Sequence, residues 1–217
     1  MKNILFFGGS SMLAYIWAKY WSKSYNIFLG LNKRIINING TKSTNTKNLE
    51  LLRKTLISNK ITHIINCAGL TSVEQCEKKP ELAYSLNGDL PGYIAKIASD
   101  LNVKFIQIST DHLFDGEKKT YSEQSTPRPL NIYSKSKLDG EKKTLFNNSN
   151  SLIIRTNFFG NGPAYRHSFS DRIINDLMDN KNIYLFEDVY YTPISVNILA
   201  DCVEKLMDKE LNGIYNV

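Results

Sequence analysis

Lys104-Phe-Ile-Gln-Ile-Ser109-Thr110-Asp111-His112-Leu-Phe-Asp115-Gly116 is the stretch that decides the fold, together with Pro127-Arg-Pro-Leu-Asn131-Ile-Tyr133-Ser-Lys135-Ser-Lys137-Leu-Asp-Gly-Glu141 beyond a polar loop. The first part is an apolar run ending in hydroxyls, the pattern of a buried strand. The second is a loop feeding a helix that carries Tyr133 and Lys137. Positions four apart share a helix face, so phenol and ammonium can meet. A neighbouring cation favours the phenolate, and Lys137 is expected to lower the Tyr133 pKa from its free value of about 10. A phenol so tuned gives a proton to a carbonyl oxygen, or takes one from an alcohol, near neutral pH. Ser109 or Thr110, at the strand end, is placed to hold that oxygen.

A Tyr-x-x-x-Lys pair alone says little. With 12 tyrosines in 217 residues, chance supplies about one. The chain has a second, Tyr15-Ile-Trp-Ala-Lys19, on a helix whose apolar face reads as core packing. Only the Tyr133 pair follows a strand ending in Ser-Thr and a Pro-rich loop.

Working outward, Asn3 to Phe7 reads as a short apolar strand, Gly8-Gly9-Ser10-Ser11 as a turn, and Met12 to Trp21 as an amphipathic helix. Strand, glycine turn and helix open a dinucleotide-binding fold, in which backbone N–H groups at the helix start meet pyrophosphate. Gly8, Ser10, Ser11, Met12 and Leu13 are the candidates; a plain tight turn would explain the run about as well. Tyr25 to Gly30 is the second strand. Asn32-Lys33-Arg34 follows it where an NAD enzyme places a carboxylate for the ribose hydroxyls. Two cations there favour a 2′-phosphate, hence NADP(H) with NAD(H) as second choice; a solvated turn is the alternative. Residues 37–48, rich in Asn, Thr and Lys, read as loop. Leu49 to Ile57 is a helix, and Ile61 to Cys67 a third strand ending in small residues, Cys67-Ala68-Gly69, that let a cofactor lie close. Pro80 to Asp100 is a long helix that Pro91 should kink or restart. Val103 to Ser109 and Ser151 to Thr156 are further strands, Ser168 to Met178 a helix, and Tyr190 to Ser195 a lead into a last helix, Val196 to Met207. Gly213 to Val217 looks like the start of a final strand.

Strands alternate with helices, without repeats or linkers, which argues for a parallel sheet covered on both faces. The expected architecture is a Rossmann-type doubly wound α/β sheet. Residues 1–157 form the dinucleotide-binding core, and 158–217 mix a small C-terminal substrate lobe with the last core elements. A chain of this length and 42% apolar content buries one substantial core. The net charge of +6 suits a phosphate-bearing cofactor and substrate. Nucleic acid is the weaker alternative, since no aromatic-interleaved basic stripe appears. Cys67, Cys76 and Cys202 have no metal-ligand spacing and read as reduced cytosolic thiols. No apolar run reaches the roughly 18 residues of a membrane span.

The run Ile-Ser-Thr-Asp-His-Leu-Phe-Asp-Gly, then Tyr121-Ser-Glu123, then Pro-Leu-Asn-Ile-Tyr-Ser-Lys-Ser-Lys-Leu-Asp-Gly-Glu resembles the extended short-chain dehydrogenase/reductases, and within them the dTDP-4-dehydrorhamnose reductase family. The resemblance runs from residue 1 to 217. It implies NADPH-dependent reduction of a keto group on a nucleotide-linked sugar in a cytoplasmic enzyme, with a homodimer left open. By the same resemblance Tyr133 is the acid, Lys137 its partner, and Thr110 (Ser109 second) orients the carbonyl. Cys67 to Gly69 lie beside the adenosine half, and the loop holding Asn157 and Phe158 closes over nicotinamide and sugar. Asn87 matches an Asn of the family's helix. Three departures stand out: His112 replaces the family's Tyr, Ser11 and Ala14 replace two glycines after Gly8, and the family continues beyond Gly213 to Val217, implying either a shortened lobe or a shortened piece of a longer chain. Arg128, Arg166 and Arg172 are candidates for substrate pyrophosphate, although such arginines are more often surface charges. Some proteins of this resemblance bind the dinucleotide as regulatory subunits without turnover, which is the alternative function.

Overall fold

The computed structural model describes residues 1–187, 189 and 191–217. Its strands are β1 (Asn3–Phe7), β2 (Asn26–Leu31), β3 (Thr41–Asn45), β4 (His63–Asn66), β5 (Lys104–Ile108), β6 (Leu152–Arg155), β7 (Phe158–Phe159), β8 (Ile194–Ser195) and β9 (Gly213–Asn216). Seven of them form one sheet in the order β3-β2-β1-β4-β5-β6-β9, every neighbouring pair parallel. β7 and β8 make a separate two-stranded pair.

The central strands are mostly apolar because both sheet faces are covered, with Asn66 and Gln107 the buried exceptions, hydrogen-bonded to each other at 2.8 Å. Side chains alternate across the sheet. Ile4 and Phe6 join Trp17, Trp21, Leu199 and Val203 in one core. Leu5 and Phe7 join Leu52, Leu56, Ile94 and Ala98 in the other. Helices α1 (Met12–Trp21) and α8 (Val196–Asp208) therefore lie on one face, and α2 (Leu49–Ser58) and α5 (Leu90–Asp100) on the opposite one. Burying each such side chain contributes roughly 1.5–3 kcal/mol. Trp17 also donates its indole N–H to the Val196 carbonyl at 2.9 Å, which ties α1 to α8.

Two sequence expectations change. The polar tract read as loop contains β3. Its side chains are mostly exposed, so no apolar alternation marks it, and it is defined by backbone pairing along β2. The long helix from Pro80 is a series: α4 (Pro80–Ala83), a π-helical turn (Tyr84–Asp89), then α5. The wide turn absorbs the N–H that Pro91 lacks, and the helix restarts there. A short helix, α3 (Val73–Lys78), was not foreseen. α6 (Ile132–Asn147) starts at Asn131, whose side chain accepts from Ser134 N–H in a capping box. α7 (Phe169–Met178) buries none of its residues. Of the segment expected to lead into α8, Tyr190 lies outside the described residues.

The chain leaves β1 toward β2 on one side and β4 toward β5 on the other. Ligands of such sheets bind in the crevice beyond the C-terminal strand ends at that switch point.

Candidate functional site

The glycine turn sits at the end of β1. Gly8 has φ +77°, and an added Cβ there would come within 2.8 Å of the Ala68 backbone nitrogen. At Gly9 it would come within 2.9 Å of Leu29 Cβ. Glycine is thus required by the approach of β1, β2 and the end of β4. Ser11 caps α1, its hydroxyl accepting from Ala14 N–H at 3.2 Å. Other first-turn N–H groups of this ten-residue helix have no intrahelical acceptor and face the crevice end of the sheet. Ala68 and Gly69 keep the adjacent wall low. An added Cβ at Gly69 would meet Asn87 Oδ1 at 2.8 Å. This small-residue cradle beside a helix N-terminus fits a dinucleotide.

Asn32, Lys33 and Arg34 are exposed after β2. Arg34 is not simply solvated. Its guanidinium lies 4.6 Å from the centre of the Tyr165 ring and donates to the Tyr165 carbonyl at 3.4 Å. The Tyr165 hydroxyl donates to the Ser10 carbonyl at 3.4 Å, and Tyr15 meets the same ring edge-on. Tyr15, the tyrosine of the decoy pair, is therefore a packing residue, with Lys19 above its ring. The segment between β7 and α7 crosses over the glycine turn.

Thr110, Tyr133 and Lys137 converge at the end of β5. The Thr110 hydroxyl accepts from His112 N–H at 3.2 Å and lies near enough to the Tyr133 phenol to pull its pKa down, but burial dominates and pushes it up to about 12, with Asp111 adding to the rise. The expected depression by Lys137 is not met. The Lys137 ammonium is drawn instead onto the Ile108 carbonyl, at 2.6 Å. Burial lowers Lys137 to about 8. The same logic lifts the Cys67 thiol to about 12, against Ser11 and Lys137, the groups that pull it down. Cys67 therefore lies between the glycine turn and the Lys137 helix.

His112 packs its ring edge-on to Tyr133 at 6.0 Å, with Nε2 3.9 Å from Asp111. Ser109 turns away, donating to buried Glu141, which also receives a two-pronged contact from Arg155. Asn157 and Phe158 follow β6, Asn157 accepting from Ile194 N–H at 2.9 Å. Asn87 clasps Leu70 through both its N–H and carbonyl, and donates to Ser136 on α6 at 3.0 Å. Among the arginines, Arg128 is paired with Asp115 and Glu117, and Arg172 stacks on Phe169. His63 lies at the opposite end of the sheet, held down to about 4 by burial and by Lys2 and Lys104. Sequence reasoning missed Glu77, which accepts from Ile132 N–H at the start of α6, and Glu141. The spacing Tyr133, Lys137, Glu141 on one helix face was the available signal for the latter. No cluster of metal-ligating groups is found among the described residues.

A parallel sheet with this strand order, a glycine turn at its switch point and a Thr/Tyr/Lys crevice defines the extended short-chain dehydrogenase/reductase class. The chain belongs within it to the RmlD substrate binding domain family, whose pattern matches residues 1–217. It is 34% identical over 158 residues to a probable low-salt glycan biosynthesis reductase, Agl14, of Haloferax volcanii, covering 71% of this chain and 53% of the relative. It is 31% identical over 160 residues to the dTDP-4-dehydrorhamnose reductase of Salmonella typhimurium, with the same two coverages. It is 33% identical to methionine adenosyltransferase 2 subunit beta of Xenopus laevis, over 70% of this chain and 48% of that one. The chain thus spans about half the length of the curated relatives it matches. Among solved structures, a hypothetical dTDP-4-dehydrorhamnose reductase from Sulfolobus tokodaii superposes with TM-score 0.86 at 31% identity, covering all of this chain and 76% of that one. The Bacillus anthracis dTDP-4-dehydrorhamnose reductase in complex with NADP gives 0.87 at 26% identity, covering all of this chain and 75% of that one. No helix among the described residues is long and apolar enough to cross a membrane.

Proposed function

We propose that the protein carries out NADPH-dependent reduction of a keto group on a nucleotide-linked deoxy sugar, in nucleotide-sugar or polysaccharide biosynthesis. The observation that carries this reading is the meeting of Thr110, at the end of β5, with the Tyr133 phenol, and the buried Lys137 ammonium one helical turn along α6. In this reading Gly8, Ser10, Ser11, Met12 and Leu13 bind the pyrophosphate. Asn32, Lys33 and Arg34 take the 2′-phosphate end, and Cys67, Ala68 and Gly69 flank the adenosine half. Ser109, Tyr133 and Lys137 border the nicotinamide end. Bound there, the nicotinamide supplies hydride.

Thr110 orients the substrate oxygen. Tyr133, held protonated at neutral pH by burial, gives that oxygen its proton as negative charge develops. Lys137, largely charged at pH 7 with a pKa of about 8, keeps its ammonium at the nicotinamide-ribose end, anchored on the Ile108 carbonyl. His112, Asn157 and Phe158 wall the sugar. The likeness to two reductases supports this reading.

The second reading is a dinucleotide-binding regulatory subunit that does not turn over a sugar. The likeness to methionine adenosyltransferase 2 subunit beta favours it. Screening NADPH oxidation against nucleotide-linked 4-keto-6-deoxy sugars separates the two. Turnover with any member supports the reductase. Tight NADPH binding with no oxidation across the panel supports the subunit.

A further inference from the structure

The proposed chemistry uses neither Glu141 nor Arg155, yet both are buried charges, their side chains 2% and 3% exposed. Arg155 Nη2 donates to Glu141 Oε2 at 2.7 Å, and Arg155 Nε donates to Oε1 at 3.0 Å. The Ser109 hydroxyl donates to Oε1 at 2.5 Å. Tyr133, Lys137 and Glu141 follow one another at four-residue steps along one face of α6. Lys137 reaches Ile108, and Glu141 reaches Ser109. The two side chains thus grip consecutive residues of the strand end from which Thr110 projects. Two ions taken out of water cost several kcal/mol each, and well-packed apolar residues often serve as well. Stability is therefore a weak reason for a buried pair at this place.

Resting on the reductase reading, we infer that Glu141 is a positioning residue, fixed by Arg155 and Ser109, that supplies the counter-charge to the Lys137 ammonium and holds α6 in register with the end of β5. The titratable neighbours agree with this role. Burial lowers Lys137 to about 8; Glu141 on α6 is the first group opposing that fall, and Cys67 beyond β4 the second. Arg155 on β6 faces Glu141, lies under the Phe114 ring, and has Glu123 as a more distant charge partner. Without the Glu141 charge, Lys137 should lose its proton at lower pH. An opposite charge one helical turn away on the same face holds a pKa by about one unit.

The test is the titration of the Lys137 side chain, followed by NMR on protein labelled at lysine Cε and assigned with Lys137→Met. It is run on the wild type, on Glu141→Gln, and on Glu141→Gln/Arg155→Met. The double variant strands no arginine charge in the core, which guards against misfolding. The expected result is a Lys137 midpoint about one pH unit lower in Glu141→Gln and a smaller fall in the double variant, which removes the Arg155 charge together with its partner. NADPH turnover should then fall about fivefold near pH 8 and little near pH 6.5, as the ammonium fraction dictates. An unmoved midpoint in folded Glu141→Gln overturns the inference. Loss of folding in both variants also overturns it, because it assigns the pair to stability alone. The titration needs no turnover, so a wild type that reduces nothing counts against the reductase reading and leaves this result separately legible.

Discussion

Replacing Gly140 by Ala tests how closely the helix bearing Tyr133 and Lys137 must dock. A Cβ at this position would sit 2.0 Å from the Asn87 carbonyl oxygen and 3.5 Å from Pro91 Cγ. The Asn87 carbonyl faces α6 because Pro91, four residues on, has no N–H to give it. Ordinary contact begins near 3.4 Å, so α6 and the π-helical turn must part by about 1.4 Å. The nearest obstacle is backbone, and no flexible side chain can yield in its place. Overpacking of this kind costs about 1–3 kcal/mol, and a clash this deep belongs at the upper end. Alanine returns about 1 kcal/mol through helix propensity. The net loss should be near 2 kcal/mol, or about 4–8 °C in Tm for a chain of this size. The same displacement pulls at the Asn87–Ser136 and Lys137–Ile108 hydrogen bonds, 3.0 and 2.6 Å long. A misplacement of about 1 Å can lower turnover by about 100-fold. Urea and thermal unfolding, with NADPH oxidation alongside, are the assays. A variant as stable and as active as the wild type would refute the close-docking argument.

Three further outcomes are expected. Tyr133→Phe should abolish reduction while leaving NADPH affinity nearly unchanged, because the phenol oxygen is needed only as the alkoxide develops; Tyr15→Phe is the matched control, and equal turnover in both would remove Tyr133 as the acid. Arg34→Ala and Lys33→Ala should weaken NADPH more than NADH in binding titrations, by roughly tenfold for one well-placed cation; equal affinities unmoved by either change would return these residues to the solvated surface. His63 should make the protein lose stability as pH falls: its folded pKa of about 4 lies below its ordinary value of 6.5, so the unfolded chain binds the extra proton between those values. His63→Gln should flatten the unfolding free energy across that window, and an unchanged slope would show that burial of His63 is not the cause.

Most of the sheet was legible because buried parallel strands carry their own signature. Asn3–Phe7 and Met12–Trp21 fall where apolar pattern and glycine turn put them. β3 escaped because its stabilisation is backbone pairing at an edge, which exposed Thr and Lys do not advertise. In the site, Tyr133 and Lys137 came from spacing on one helix, which also sets them on one face, whereas Thr110 came from its strand end and the family resemblance, and the fold brings it to Tyr133. The charge state of the pair did not follow from spacing. It depends on how deeply α6 sinks and on the Ile108 carbonyl, 29 residues back along the chain. Arg34 read as a 2′-phosphate ligand or part of a solvated turn, and its contact with Tyr165, 131 residues away, could not be seen in either reading. Glu141 could have been found from its helical step, whereas Arg155 required the fold.

The central claim is that hydride reaches a sugar carbon in the crevice between Thr110 and Tyr133. The most direct measurement uses NADPH carrying deuterium at the transferable position, a nucleotide-linked 4-keto-6-deoxy sugar, and mass and NMR analysis of the sugar. The account predicts one deuterium on the carbon that was the ketone, with none transferred by Tyr133→Phe. Deuterium retained on the cofactor, by a wild type that demonstrably binds both molecules, would contradict it.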